Sequence, residues 1–324
     1  MPGVRGRVDG RGEVCRLARP VLSCAGVRIF YSDQHAVPLP PGHRFPMGKY
    51  ARLRQRLIDE QVVPAAWLAP APLATRADLL RAHAPGYVDA VLAGTLDARA
   101  VRKLGLPWSP ALVTRSLASV GGTLAAARAA LRDGLAGNLA GGTHHAHRDF
   151  GSGFCVWNDL AVTAATLLAE AAVRQVLVFD CDVHQGDGTA AIFADQPRVF
   201  TYSIHGARNF PFVKPAGDCD VELADGAGDA EVLPLIAASL RDLERRFTPD
   251  LVLYQAGVDA LAADKLGRLA MSHAGLAERD RLVLAHFRGR GVPVVLTLGG
   301  GYAEPIDATI EAHLATYRAA AGFA

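Results

Sequence analysis

The sequence has few cysteines, and their spacing argues against two kinds of structure. The five are Cys15, Cys24, Cys155, Cys181 and Cys219, an odd number with no C-x-x-C pair among them. Neither a framework of disulfides nor a structural zinc site built from thiolates is expected from this pattern. A reducing, cytoplasmic environment is the compartment that it favours.

The chain also lacks a long apolar run and a marked excess of either charge. No run approaches the ~20 apolar residues that a membrane-spanning helix needs, and the basic opening segment lacks the apolar centre of a secretory signal. The 34 basic residues nearly balance 32 acidic ones, and the arginines are scattered. We therefore expect neither a membrane nor a nucleic acid as partner. The sequence carries no indication of oligomeric state.

What the chain does contain is a series of short apolar runs separated by helical patterns. Half of its 324 residues are hydrophobic, enough for a sizeable core. Continuous apolar strands that alternate with helices predict a parallel sheet covered on both faces. We expect one domain over residues 26–324, preceded by a flexible extension over residues 1–25. The predicted strands are 27–31, 176–179, 199–203, 251–254 and 292–298, and the predicted helices are 109–134, 159–173, 229–247, 273–288 and 304–320.

Polar motifs follow four of these strands, where parallel sheets bind their ligands. "DCDVHQGDG" (180–188) follows one strand, and its Asp182 and His184 are two residues apart, so that both side chains face the same way in an extended segment. Asp259, after a different strand, completes a set of one nitrogen and two oxygen ligands. Such a set suits a catalytic Zn²⁺, with Fe²⁺ as the alternative.

A pair of adjacent histidines lies in the glycine-rich stretch "GGTHHAHRDFGSGF" (141–154). A buried imidazole needs partners for both nitrogens, and histidine transfers protons near neutral pH. We interpret His144 and His145 as proton-transfer groups, with the remaining carboxylates, Asp180 and Asp187, as their partners. His147 is interpreted as an exposed residue without an assigned partner.

The last motif is "LTLGGGY" (296–302). Glycines allow the backbone to approach a ligand closely, and the hydroxyl of Tyr302 is placed to donate to a developing oxyanion. The alternative is a tight turn that ends in a packed tyrosine.

Together these motifs resemble the metal-dependent histone deacetylase and acetylpolyamine amidohydrolase superfamily. The resemblance runs from about Arg28 to Ala320 and rests on "GGTHHA", "GFCVWND", "FDCDVHQGDGT", "VFTYSIHG", "GVDALAADKLG" and "LGGGY". It implies an arginase-like α/β fold with an eight-stranded parallel sheet. The stretches "HRFPMGKY", "LGLPWSP" and "SIHGARNFPF" are most similar to the class IV branch and its bacterial relatives.

The resemblance also implies roles for individual residues. Zinc would be bound by Asp182, His184 and Asp259. His145 would be the general base and acid, paired with Asp187, while His144 pairs with Asp180, and Tyr302 would polarise the scissile carbonyl. A potassium ion beneath the zinc would use Asp180, the hydroxyl of Ser203 and the carbonyls of Asp182, His184 and Ile204. The substrate tunnel would be lined by Gly153, Phe154 and Leu266. The chain departs from the family at Gln185, where a histidine is common.

The expected function is therefore removal of an acetyl or longer acyl group from protein lysine side chains. Deacetylation of small molecules such as acetylpolyamines is the main alternative. A binuclear manganese ureohydrolase would need more bridging carboxylates than "GVDALAAD" offers, and we interpret Asp264 there as capping a loop or helix. An inactive binding module would not have every catalytic position filled.

Overall fold

Residues 27–324 are described by the computed structural model, and eight strands of this part form one sheet in the order β2-β1-β3-β8-β7-β4-β5-β6. Every neighbouring pair of strands is parallel. The predicted arginase-like α/β fold with an eight-stranded parallel sheet is thereby confirmed. The strands are β1 Arg28–Tyr31, β2 Leu68–Pro70, β3 Leu135–Asn138, β4 Val176–Asp180, β5 Val199–Gly206, β6 Cys219–Leu223, β7 Leu251–Gln255 and β8 Val294–Thr297.

Helices connect the strands and end where the sequence supplies caps. Ser109 caps the longest helix by accepting from Leu112 N–H, Pro110 occupies its first turn, and Gly134 ends it with a positive φ. The α-helices are α1 Lys49–Asp59, α2 Arg76–Leu79, α3 Pro85–Ala93, α4 Ala98–Leu104, α5 Pro110–Asp133, α6 Asp159–Ala169, α7 Asp187–Phe193, α8 Asp229–Arg246, α9 His273–Arg288 and α10 Asp307–Ala321. No helix in residues 27–324 is long and apolar enough to cross a bilayer.

Two hydrophobic cores lie on the two faces of the sheet. Successive residues of β4 alternate between them, with Leu177 and Phe179 in one core and Val176 and Val178 in the other, as the two-residue period of a strand requires. The first core packs against α1, α8, α9 and α10, and the second against α3, α5 and α6. Because both faces are covered, the central strands are fully buried, and only their ends are free to carry a site.

The sequence-based elements agree with the structure in part. All five predicted strands and all five predicted helices exist, but β2, β3 and β6 and the helices α1–α4 and α7 were not assigned from apolar periodicity. The last helix begins at Asp307, after the cis Glu304–Pro305 bond, and not at residue 304. The predicted extension over residues 1–25 lies outside the described residues, as do Cys15 and Cys24.

Candidate active site

Four polar segments meet at one edge of the sheet: "LGGGY" after β8, "GVDALAAD" after β7, "DCDVHQGDG" at the end of β4 and "SIHG" at the end of β5. These four strands are consecutive neighbours in the strand order, so their carboxyl ends lie side by side. A cavity of about 770 Å³ opens at this edge. Its lining includes His145, His184 and Tyr302, so the structure brings together the residues that the sequence singled out.

Asp182, His184 and Asp259 converge on a common point. Nδ1 of His184 lies 3.0 Å from Oδ1 of Asp182 and 3.1 Å from Oδ2 of Asp259. The three residues are buried, and their ligand atoms lie within 4.8 Å of one another. Ligand atoms that each lie about 2.0–2.2 Å from a shared Zn²⁺ are separated from one another by similar distances. The donor set therefore fits a divalent metal ion, as predicted from the spacing.

The backbone fixes both carboxylates in this arrangement. Gly300 N–H donates to Oδ2 of Asp182 at 2.7 Å, and Val183 N–H donates to Oδ1 of Asp259 at 2.9 Å. A Cβ atom at Gly300 would lie 1.8 Å from Oδ2 of Asp259, so only glycine permits this approach. The "GGG" motif thus forms one wall of a pocket shaped around the two carboxylates.

The electrostatics of the three groups also fit a cation. Burial and the neighbouring Asp182 raise the pKa of Asp259 to about 7. Burial opposes a charge on His184, but hydrogen bonds to the two carboxylates outweigh it and raise its pKa to about 10. Two buried carboxylates thus stand beside a single imidazole. Buried charge of this kind is stable only when it is paired or binds a metal.

The two adjacent histidines form a connected pair beside these residues. Nδ1–H of His144 donates to Asp180 at 2.7 Å, Nδ1–H of His145 donates to Asp187 at 2.6 Å, and the two Nε2 atoms lie 3.1 Å apart. Burial opposes protonation of His144, but Asp180 and Asp182 outweigh it and raise its pKa to about 9. Burial and His144 lower the pKa of His145 to about 4.

The expectation for His147 was wrong. Its Nε2 lies 3.1 Å from Oδ2 of Asp187, and its ring stacks on Phe150 at 4.3 Å. Asp187 therefore accepts from two histidines, and their hydrogen bonds outweigh burial and lower its pKa. Adjacent residues of a strand would alternate faces, but the chain turns at residues 143–146, where Ala146 N–H donates to the carbonyl of Thr143, and this allows His145 and His147 to reach one carboxylate.

Tyr302 is held at the cavity by its backbone. Its N–H donates to Oδ2 of Asp264 at 2.6 Å, while Oδ1 of the same carboxylate accepts from the N–H groups of Leu266 and Gly267 at 2.8 and 3.0 Å. Asp264 therefore caps a loop, as expected, and ties the tyrosine to the opposite wall. Burial raises the pKa of the Tyr302 hydroxyl well above its ordinary value, so the group keeps its proton for donation.

The three predicted tunnel residues all line the cavity, and Phe210 joins them. Gly153 and Phe154 both have positive φ, 53° and 67°, and a Cβ atom at Gly153 would lie 2.6 Å from Cδ2 of His145. The ring of Phe210 meets that of His145 edge to face at 4.9 Å. The "NFPF" stretch could have signalled Phe210, since it directly follows the motif at the end of β5.

Asp180 and Ser203, the side chains expected to bind potassium, are neighbours in the sheet. They form one register pair of β4 and β5. Oδ1 of Asp180 accepts from Asp182 N–H at 3.0 Å, and a small cavity of about 10 Å³ borders both residues. The hydroxyl of Ser203 lies 2.8 Å from Nδ1 of His205.

Gln185 does not point at the metal ligands, because its Nε2 donates to the carbonyl of Pro215 and to Asp220.

Two buried residues that the motifs do not contain support the site. His83, before α3, accepts from Asn158 N–H and donates to the carbonyl of His147, both at 2.9 Å. Arg279 of α9 donates to the carbonyls of Cys181 and Gly257 at 3.2 and 2.5 Å. Those carbonyls lie next to Asp182 and two residues before Asp259. Neither residue stands near a motif in the sequence, so no local pattern could reveal it.

The mouth of the cavity is basic. Among the described residues that line the cavity, the only acidic residue is the buried Asp182, whereas seven are arginine or lysine: the buried Arg115 and six at the mouth, namely Arg44, Arg102, Lys103, Arg208, Lys265 and Arg268. All six are exposed. The loop after β5 also presents two exposed apolar residues, Phe212 and Val213, which are 87% and 86% exposed.

Comparison with known proteins gives one consistent family. Residues 43–317 match the family model described as Histone deacetylase domain. The chain is 45% identical, over 91% of its length and 98% of the relative's, to an uncharacterised protein of Picosynechococcus sp.. It is 28% identical to Histone deacetylase 2 of Arabidopsis thaliana over 85% of this chain and 74% of that protein. The crystal structure of an HDAC homologue from Aquifex aeolicus is 25% identical, with a TM-score of 0.76, and covers 90% of this chain and 82% of that chain.

Proposed function

Because this chain belongs to the histone deacetylase family, we propose that it is a zinc-dependent hydrolase that removes acyl groups from lysine side chains. Family membership supports a hydrolase of the deacetylase type. That the metal is zinc, and that the substrate is an acylated lysine side chain, is our proposal. The observation that carries it is the convergence of Asp182, His184 and Asp259 beside a cavity whose lining includes Asp182, His184, His145 and Tyr302.

Asp182, His184 and Asp259 would bind the metal through the atoms that already converge. Zinc, when bound, would polarise the amide carbonyl and lower the pKa of a bound water to roughly 7. Arg279 and Gly300 keep the two carboxylate-bearing loops in place through their contacts with the backbone and with Asp182. Such surrounding contacts orient metal ligands and tune their basicity.

The histidine pair would manage the protons. The carboxylate of Asp187 holds Nδ1–H of His145 and so leaves Nε2 free to accept a proton from the attacking water. His144, whose Nδ1–H is held by Asp180, lies with its Nε2 3.1 Å from that atom. The pair can therefore return a proton to the departing lysine amine without reorienting either ring. Positioned general acid–base catalysis contributes about 10²–10⁴-fold in rate.

Tyr302 would donate to the oxyanion that forms on the acyl carbonyl. Its hydroxyl stays protonated because burial raises its pKa. Asp264 fixes its backbone, and its ring lies 6.1 Å from that of Phe154. Phe154 and Phe210 line the cavity, where they can cover the apolar stem of the lysine.

We infer that the acyl group can be longer than acetyl. The cavity, about 770 Å³, exceeds what an acetyl-lysine side chain fills. Its lining includes Met47, Leu106 and Phe210, and these residues belong to the three stretches that resemble the class IV branch. A series of acetyl, butyryl, octanoyl and myristoyl groups on one lysine peptide tests this inference. A turnover that falls steadily from acetyl to myristoyl would contradict it.

We also propose that potassium binds at Asp180 and Ser203, with the carbonyls of Asp182, His184 and Ile204. The register pairing of Asp180 with Ser203 and the small cavity beside them support this site. Asp180→Asn should reduce bound potassium, weaken the hold on His144 and lower activity while zinc remains. A crystal structure grown in potassium buffer with water at this position would refute it.

The test of the main proposal compares acetyl-lysine peptides with acetylpolyamines, with and without a zinc chelator. We expect peptide hydrolysis that is lost with the chelator and restored by Zn²⁺. His145→Ala should cost about 10²–10⁴-fold in kcat, and Tyr302→Phe about 10²–10³-fold, with the metal content unchanged. His273→Ala, at an exposed position away from the cavity, is the matched control. Turnover of acetylpolyamines alone would establish the alternative substrate class.

A further inference from the structure

We propose that the preferred substrate is an acyl-lysine flanked by acidic residues in a polypeptide. This inference rests on the proposed hydrolysis of acyl-lysine and adds its sequence context. Basic residues are concentrated at the cavity that contains the candidate site. The whole chain has a net charge of only +2, yet six exposed basic residues line the cavity that contains the candidate site, against a single acidic residue, the buried candidate metal ligand Asp182.

The basic residues form two groups on different walls of the mouth. The first, Arg44, Arg102 and Lys103, lies beside Phe154. A hydrogen bond of 3.1 Å between Nε2 of His43 and the carbonyl of Gly105 joins the two segments of this group, and the ring of His43 lies 6.1 Å from that of Phe154. Within residues 27–324, no carboxylate lies within 4.0 Å of these three cations. Nζ of Lys103 lies 3.1 Å from the centre of the Phe150 ring, a contact that does not neutralise it, so the charge of all three residues is available to a ligand.

The second group, Arg208, Lys265 and Arg268, lies on the segments that contain Phe210 and Leu266. The side chain of Asn209 bridges these segments, since it donates to the carbonyl of Leu266 at 2.9 Å and accepts from Arg268 N–H at 3.2 Å. Arg208 and Arg268 share the single carboxylate of Asp225, at 3.5 and 3.1 Å. Lys265 pairs with Glu304. This group keeps one positive charge in excess.

The arrangement on two walls indicates a chain and not a small anion. A peptide whose acyl-lysine enters the cavity leaves residues on both sides of that lysine over the mouth, within reach of both groups. Aspartate or glutamate there meets an excess of four positive charges over the two partner carboxylates. Lysine or arginine there, or the cationic arm of a polyamine, meets repulsion. Complementary potentials of this kind raise association rates and suppress wrong partners.

The experiment uses three peptides with the same central acyl-lysine and glutamate, glutamine or lysine at the two positions on each side. At low ionic strength we expect kcat/KM to be roughly 10-fold or more higher for the glutamate peptide than for the lysine peptide. Because exposed charges are screened, the ratio should approach one as salt rises toward 0.5 M. The glutamine peptide should lie between the two.

Variants that remove charge test whether the basic residues at the cavity mouth cause the preference for the glutamate peptide. The triple variant Arg44→Gln, Arg102→Gln, Lys103→Gln should lose most of the preference while it still hydrolyses the glutamine peptide. The matched control removes three exposed charges away from the cavity, Arg132→Gln, Arg241→Gln and Arg245→Gln, and should keep the preference. Equal turnover of all three peptides, or an equal loss in both triple variants, overturns the inference and leaves the hydrolase intact.

Two further outcomes are distinguishable. If no peptide of any charge is hydrolysed, the proposed function itself fails. The other outcome is that the three peptides are hydrolysed equally while the protein sediments with vesicles of anionic phospholipid and the Arg44→Gln, Arg102→Gln, Lys103→Gln variant does not. In that case the basic mouth of the cavity binds a membrane surface. That result overturns the inference of an acidic peptide, with exposed Phe212 and Val213 as the apolar contribution.

Discussion

Individual buried side chains hold the turn that contains His144 and His145, and His83 is the one whose protonation should be measurable. Its Nε2 accepts from Asn158 N–H, so the proton of the neutral ring is on Nδ1 and is donated to the carbonyl of His147. The side chain of Asn158 in turn donates to the carbonyl of Ala146 at 3.2 Å. Burial, together with a smaller effect of the nearby charge of Arg148, lowers the pKa of His83 to about 4.

We expect this histidine to make the protein less stable in mild acid. The unfolded chain binds a proton at His83 below about pH 6.5, whereas the folded protein does so only below about pH 4. The free energy of unfolding should therefore fall as the pH drops through this window, by about 2 kcal/mol between pH 7 and pH 5 from this residue. Urea denaturation of the wild type and His83→Gln at both pH values measures the difference. An unchanged pH dependence in the variant would contradict the assignment, and His273→Gln is the exposed control.

The residues that sequence reasoning found and those it missed differ in a physical respect. Asp182 and His184 stand out because charge follows a buried strand directly, which is costly without a partner. Arg279 and His83 lie within helical or turn segments that look ordinary, and their partners are 98 and 75 residues away. His147 was misjudged for a related reason. Its partner depends on the turn at residues 143–146, which alternation along a strand does not describe.

At the scale of elements, α9 supports the candidate metal site through its contacts with the loops after β4 and β7. Arg279 donates to the backbone of the loops after both β4 and β7, and its charge is balanced by the adjacent Asp280. Asp280 also accepts from the hydroxyls of Tyr254 and Thr316. The pair therefore joins α9, α10, β7 and two ligand-bearing loops in one buried polar network.

Arg279→Met should weaken both the fold and the metal site. Removing one partner of a buried ion pair leaves the other charge uncompensated and costs about 3–5 kcal/mol. Since Cys181 and Gly257 lose their common donor, bound zinc should also fall. Chemical denaturation and metal analysis measure both effects. Arg281→Met is the matched control, because its pair with Glu278 on the same helix is exposed and worth about 0–1 kcal/mol. A loss no greater than that of the control would rule out the supporting role.

The strands and helices were predictable where their sequence patterns are strong. The buried strands β4, β5 and β7 are continuous apolar runs, and α5 and α9 have serine caps. In contrast, β3 is "LAGN", with a glycine and an asparagine, and β6 is an edge strand whose first four residues alternate between half-buried and exposed. Such segments gain their strand conformation from neighbouring strands, which the local sequence does not describe.

At the scale of the whole molecule, metal binding should couple to stability. The three ligands come from two loops on neighbouring strands, and an unfolded chain does not hold them together. An ion that binds only the folded state stabilises it by about 2.7 kcal/mol at a hundred times its dissociation constant. We therefore expect a chelator to lower Tm by several degrees and added Zn²⁺ to restore it. Asp259→Ala should show no such shift. A wild-type Tm that is unchanged after proven metal loss would contradict the coupling.

The position of β8 in the sheet has a consequence for synthesis. Among the eight strands of this sheet, β8 leaves the ribosome last, yet it pairs with β3 on one side and β7 on the other. Until residues 294–297 emerge, β2-β1-β3 and β7-β4-β5-β6 remain separate half-sheets, each with a bare edge at β3 or β7. Exposed apolar edges invite pairing with other chains. A nascent chain released before residue 294 would therefore be prone to aggregate, and the four residues of β8 decide whether the two half-sheets become one.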